Sequence, residues 1–199
     1  MSRTLVTAFA FASALTAVTR PLAAQTVPPV AQQLMSAVLP LPAAMRDGAG
    51  VMGYKTADKL EVLKPSKNGM ICLADDPAEE GFHVSCYHDG MEPFMARGRA
   101  LRATGVKGTQ VDTVRFAEVK SGKLKVPTAP ASLYQIFAGK DGGYDPATNT
   151  VSKSRSTFVV YIPFATEKST GLSAQPSKDG PWLMFPGTPK AHIMFSTGM

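Results

Sequence analysis

Two cysteines, Cys72 and Cys86, are the only ones in the chain, and the segment between them limits the fold more than any other stretch. Residues 70–74 and 82–88 are apolar and β-favouring, and they flank the acidic turn Asp75-Asp76-Pro77-Ala78-Glu79-Glu80-Gly81. If the two segments pair across a turn centred near residue 79, Cys72 falls opposite Cys86. The spacing therefore predicts a disulfide across a β-hairpin, and closing a loop of about fifteen residues contributes roughly 3 kcal/mol. With no Cys-x-x-Cys present, a structural bridge is expected rather than a redox centre.

Such a bridge implies an oxidising compartment, and the N-terminus points the same way. Arg3 precedes an uncharged, largely apolar run over residues 4–19, and Pro21-Leu22-Ala23-Ala24 ends it with small residues. Residues 1–24 read as a secretory signal peptide cleaved after Ala24, which makes residues 25–199 an exported protein, periplasmic or secreted. The uncharged run falls short of the roughly 20 residues a membrane-spanning helix needs, so no transmembrane segment is expected in the mature chain. The formal charge of the whole chain is +6. Removing Arg3 and Arg20 leaves +4 with no dense Lys/Arg run, so nucleic acid is not an expected partner. At 44% hydrophobic and 18% charged residues the chain can build a conventional core, and its length suits one domain.

Periodicity fills in the rest. Val30, Leu34, Val38 and Leu41 suit one face of a short helix ended by Pro40 and Pro42. Val51 to Tyr54 and Leu60 to Leu63 read as a hairpin. A helix is expected to open near Asp89, with Met91, Phe94, Met95 and Leu101 as its apolar stripe and Gly105 beyond its end. Residues 109–121 fit a second helix with a capping-box-like start, Thr109-Gln110-Val111-Asp112, or alternatively a strand pair. Strands follow at Leu133 to Phe137 and Thr157 to Phe164, around a loop built on Gly139 to Gly143 and Asp145-Pro146. After a long excursion over residues 165–191 comes a last strand at Ala191 to Phe195. The sum predicts an α+β fold, a single domain with a mainly antiparallel sheet and two or three packed helices.

Charge is unevenly placed. Residues 73–92 carry six acidic side chains and no Lys or Arg, whereas residues 93–125 carry a net +6. Within the acidic window His83 and His88 stand near Asp75, Asp76, Asp89 and Glu92, a donor set suited to a divalent transition metal. In a regular strand His83 and His88 point to opposite faces, so one site using both needs a bulge or a distant ligand such as His192. Solvated loop charge, with Asp89 and Glu92 at a positive helix start, is the competing explanation, and no cofactor is required by it. Trp182, the sole tryptophan, lies in a proline-bracketed segment and is either a binding surface or a core plug. No nucleophile elbow or phosphate-binding glycine loop is present.

The run Asn68-Gly69-Met70-Ile71-Cys72-Leu73-Ala74-Asp75-Asp76-Pro77, followed by Cys86-Tyr87-His88, Glu92-Pro93-Phe94-Met95, Pro181-Trp182-Leu183-Met184 and His192-Ile193-Met194, resembles a group of uncharacterised exported bacterial proteins. The resemblance covers most of the mature chain and implies export from a bacterial cell. It implies no substrate. The expected function is a non-catalytic binding or envelope-associated module; the alternative is a metal-dependent hydrolase using His88 with His83, His192 and Asp75, Asp76, Asp89 or Glu92, the metal activating water.

Overall fold

The computed structural model describes residues 26–196; the expected signal peptide lies outside the described residues. At its centre the cysteine hairpin forms as the spacing predicts. Strands β3 (Met70–Leu73) and β4 (Phe82–His88) pair antiparallel with Cys72 opposite Cys86. The two residues are joined in a disulfide and are fully buried.

The sheet grows outward from this hairpin on both sides. β1 (Gly50–Thr56) and β2 (Lys59–Lys64) make the expected antiparallel hairpin, which attaches through a parallel pairing of β1 with β3. Beyond β4 lie β5 (Ala131–Asp145) and β6 (Thr150–Tyr161), then β8 (His192–Ser196) and finally β7 (Trp182–Met184). The order is β2-β1-β3-β4-β5-β6-β8-β7, an eight-stranded and mostly antiparallel sheet in an α+β fold.

Helices cover both faces. Successive strand residues point to opposite sides, so Cys86 and Tyr87 look into different cores. On the Cys86 side, α1 (Val30–Ala37) packs Leu34, Ala37 and Val38 with the disulfide, Val51 and Met70. Buried Gln33 fastens this helix to β1: its amide donates to the carbonyls of Pro28 and Tyr54 at 2.7 Å each and accepts from the Tyr54 N–H at 2.8 Å. Gly53 makes the approach feasible, because a Cβ there would lie 2.4 Å from Gln33 Oε1. Single-turn α2 (Ala43–Arg46) follows.

On the Tyr87 side, a 3₁₀ turn at Asp89–Met91 leads into α3 (Glu92–Ala103), which lays Met91 and Met95 against Tyr87, Leu133, Val159 and Tyr161. Residues 109–121 resolve as a helix, α4 (Thr109–Lys120), which buries Val111 and Arg115 one turn apart. α4 packs along α3. The last helix, α5 (Glu167–Thr170), is a single turn. Among the described residues no helix is long and apolar enough to cross a membrane.

Two local expectations are corrected. α4 has no capping box: Gly108 is its N-cap, no side chain caps it, and Asp112 is drawn away to Arg115 and Lys190. The glycines 139–143 do not form the loop between β5 and β6. The strands run past them to a turn after Asp145, and the glycines mark a register irregularity between Ala138 and Gly143. A Cβ on Gly142 would meet the Ser152 carbonyl oxygen at 2.5 Å, so the close approach of the two strands there requires glycine.

Candidate functional site

Strand register defines the site. On the face that carries Tyr87, matching residues of β4, β5 and β6 form successive rows: Tyr87, Leu133 and Val159, then Ser85, Gln135 and Thr157, then His83, Phe137 and Arg155. The first row lies in the apolar cluster completed by Met91 and Met95. The second is polar, and the third opens into a groove of about 620 Å³ lined also by Glu80, Phe82, Ala138, Lys153 and Ser154. That volume falls within the range of small-molecule sites.

The third row is ordered by ring contacts. His83 stacks on Phe137 with centroids 4.3 Å apart and planes within 15°, and the Arg155 guanidinium lies 5.7 Å from the Phe137 centroid on β6. Thr157 donates to Gln135 Oε1 at 3.3 Å, and the Gln135 amide nitrogen lies 3.3 Å from His83 Nε2. An amide nitrogen only donates, so His83 Nε2 accepts and its proton sits on Nδ1. Desolvation lowers the His83 pKa, which keeps the ring neutral. Glu80 is paired with Lys140, whereas neither Lys153 nor Arg155 has a carboxylate partner among the described residues. Lys153 also holds a φ of 46°, a left-handed conformation that costs a non-glycine residue roughly 1–3 kcal/mol.

Behind the groove, Asp75 Oδ1 accepts the His83 backbone N–H at 2.7 Å. Desolvation, assisted by neighbouring Asp76, pushes the Asp75 carboxyl up to about 6. Asp75 lines a smaller cavity of about 180 Å³ with Gln33, Ser36 and Tyr144, and Phe82 forms part of the wall of both cavities.

At the opposite corner of the sheet lies a buried polar cluster. The Arg115 guanidinium sits 3.9 Å from the centroid of the Phe94 ring and donates to the Phe94 carbonyl at 3.1 Å. Asp112 takes Arg115 on Oδ1 and the Lys190 ammonium on Oδ2, the latter at 2.8 Å. Burial works against the Asp112 charge, but the two cations prevail and lower its pKa. Lys190 lies 4.6 Å from the Phe185 ring centroid. The His192 ring lies 4.8 Å from that of Tyr161, tilted by 35°, and gives its Nδ1 proton to the Lys190 carbonyl at 2.7 Å. Burial lowers the His192 pKa and pushes the Tyr161 hydroxyl up to about 12. Phe164 and Phe185 hold φ values of 65° and 57°, on loops laced together by Phe164 N–H to Thr188 O and Gly187 N–H to Ala165 O. The Arg115 Nε–H has no partner.

The structure does not bring the expected metal ligands together. His83 and His88 lie five residues apart on β4, about 16 Å along the strand. His192 is three strands away from β4, about 14 Å across the sheet. One ion requires its donors within about 2.0–2.3 Å. His88 is exposed, accepts the Gly90 N–H at 3.1 Å and lies 3.4 Å from Asp89. Glu92 is committed to Arg99 and to the Tyr87 hydroxyl, each at 2.5 Å, tying α3 to β4. Among the described residues no group of three His, Cys, Asp or Glu side chains is placed to hold a metal ion. Trp182 is half-buried on β7, opposite Met194 at the end of the row that starts at Tyr87.

Sequence reasoning singled out His83 as a metal ligand and not as part of a groove, and it missed Phe137, Arg155 and Lys153. Their signal was the alternation along β6, where Lys153, Arg155, Thr157, Val159 and Tyr161 grade one face from charged to apolar. Comparison with known proteins yields no matching family model, curated protein or solved structure.

Proposed function

We propose that this chain is an exported, disulfide-stapled protein without catalysis, which binds a ligand in the groove beside His83, Phe137 and Arg155. The groove itself carries the reading. There a cavity of ligand size meets an ordered ring stack and two cations, Lys153 and Arg155, that have no carboxylate partner among the described residues. Export is supported by the Cys72–Cys86 disulfide and by the leader-like composition of residues 1–24. The resemblance to exported bacterial proteins agrees with it. The metal-dependent hydrolase has less support, because His83, His88 and His192 stand apart.

Two measurements test the proposal. N-terminal sequencing of the protein recovered from its native cells is expected to begin at Gln25, in a periplasmic or secreted fraction; recovery of a cytosolic chain starting at Met1 overturns export. A fragment library titrated into residues 25–199 and followed by two-dimensional amide spectra is expected to perturb His83, Phe137 and Arg155 together. Saturable shifts confined to another surface overturn the groove as the ligand site.

A further inference from the structure

Resting on the groove as the ligand site, we propose that its ligand is an organic carboxylate with an apolar body. The carboxylate is held by Arg155 and Lys153, and the body lies against Phe137, His83 and Ala138.

The lining is rich in donors and poor in acceptors. Arg155 and Lys153 bring cationic N–H groups, and His83 has its proton on Nδ1 because Nε2 is taken by Gln135. The one carboxylate in the lining, Glu80, is already engaged by Lys140. The Ser154 hydroxyl is turned to the Val151 carbonyl at 3.2 Å. A ligand that satisfies these groups must bring acceptor oxygens and negative charge.

The molecule itself contains the completed form of this arrangement. In the buried cluster an arginine lies over one phenylalanine ring, a lysine lies over another, and a single carboxylate, Asp112, gives one oxygen to each cation. The groove repeats the arginine, the lysine and the phenylalanine, but its one acid, Glu80, is held by Lys140 and bridges neither cation. Lys153 and Arg155 are two residues apart on one strand, about 7 Å between their α-carbons, and both line the groove, so their long side chains can converge on one carboxylate. The Phe137 ring supplies apolar wall for the rest of the ligand, with Phe82 and Ala138 at its margin, and a bare inorganic anion would leave it unused.

The experiment titrates residues 25–199 with phenylacetate, its uncharged amide and inorganic phosphate, reading amide spectra and calorimetric affinity. Phenylacetate is expected to bind saturably at His83, Phe137 and Arg155, with the amide weaker by about tenfold or more. Arg155→Gln and Lys153→Gln, both on exposed side chains, are expected to lower phenylacetate affinity by a similar factor while the remaining spectrum stays unchanged. Equal binding of the amide in the groove overturns the carboxylate requirement and leaves the groove as the ligand site. Phosphate binding as tightly as phenylacetate overturns the apolar-body requirement. Failure of phenylacetate to perturb the groove while library fragments still bind there overturns this inference alone, and fragment shifts confined to another surface overturn the groove proposal with it.

Discussion

The groove and the buried corner share four residue types, each having a histidine, a phenylalanine, an arginine and a lysine, and they behave in opposite ways. In the corner, Asp112 stands between Arg115 and Lys190, the arginine is almost wholly buried, and the cluster fastens α4 to the last strands of the sheet. In the groove no acid stands between Arg155 and Lys153, and both cations remain at the surface. A carboxylate placed between the two cations separates structural cement from an open site. An uncompensated cation cannot be carried into the interior, because the desolvation cost of an unpaired charge is several kcal/mol, so the set lacking its acid stays where water or a ligand can reach it.

The contrast can be broken most forcefully at Arg115. Arg115→Ala leaves Asp112 half-paired and empties the space over Phe94, and it is expected to cost about 3–5 kcal/mol in urea unfolding. A loss below about 1 kcal/mol would place the corner in the same class as an exposed ion pair. Next in size is the bridge between β3 and β4. Replacing Cys72 and Cys86 together by alanine is expected to cost about 3 kcal/mol, while phenylacetate binding survives wherever the variant is folded. Loss of that binding in a folded variant would mean that the disulfide shapes the groove directly.

Acidity separates the two regions by sign. Asp75, behind the groove, titrates near 6, above its ordinary 3.8, so the native state prefers it protonated and its ionisation opposes folding at neutral pH. Asp75→Asn keeps an acceptor for the His83 N–H and is expected to stabilise the protein at pH 7, with an advantage that shrinks as pH falls through 6. Asp112, held below 3.8, contributes stability at neutral pH that is lost only as pH falls through its lowered value. Asp112→Asn is therefore expected to destabilise at pH 7, and this cost fades only below about pH 4. Comparing each variant with its parent at every pH cancels the opposing titration of His83 and His192, whose pKa values are both lowered. Parallel pH profiles for the two variants would contradict the assignment. The smallest effect belongs to the groove cations: Arg155→Gln and Lys153→Gln are each expected to change unfolding free energy by less than about 0.5 kcal/mol, and a larger loss would reveal a structural partner for them.

The central hairpin was legible in the sequence because its register follows from two short segments and two cysteines. The helix at residues 92–103 was legible in outline from its apolar spacing, whereas residues 109–120 fitted a helix and a strand pair alike. What escaped was non-local. Placing Phe137 between His83 and Arg155 requires the registers of β4, β5 and β6 at once, and the parallel pairing of β1 with β3 leaves no local trace. The glycines 139–143 carry a turn signal that the continued pairing of β5 with β6 overrides. Arg115 looks like any surface cation on α4; its burial depends on Asp112 beside it and on Lys190 far along the chain. The histidines drew notice by residue type, yet strand spacing alone sets His83, His88 and His192 too far apart for a shared ligand.

The strand order also decides how these molecules meet one another. The two rims of the sheet are β2 and β7, and each presents main-chain donors and acceptors that a second chain could extend. β2 begins and ends in lysine, and its pairing with β1 slips at two points, so it offers no even ladder. β7 is three residues long, with Pro181 before it and Pro186 shortly after it. A neighbouring copy arriving rim to rim finds like charge at one side and too few hydrogen bonds at the other, so neither rim is a ready template for edge-to-edge growth.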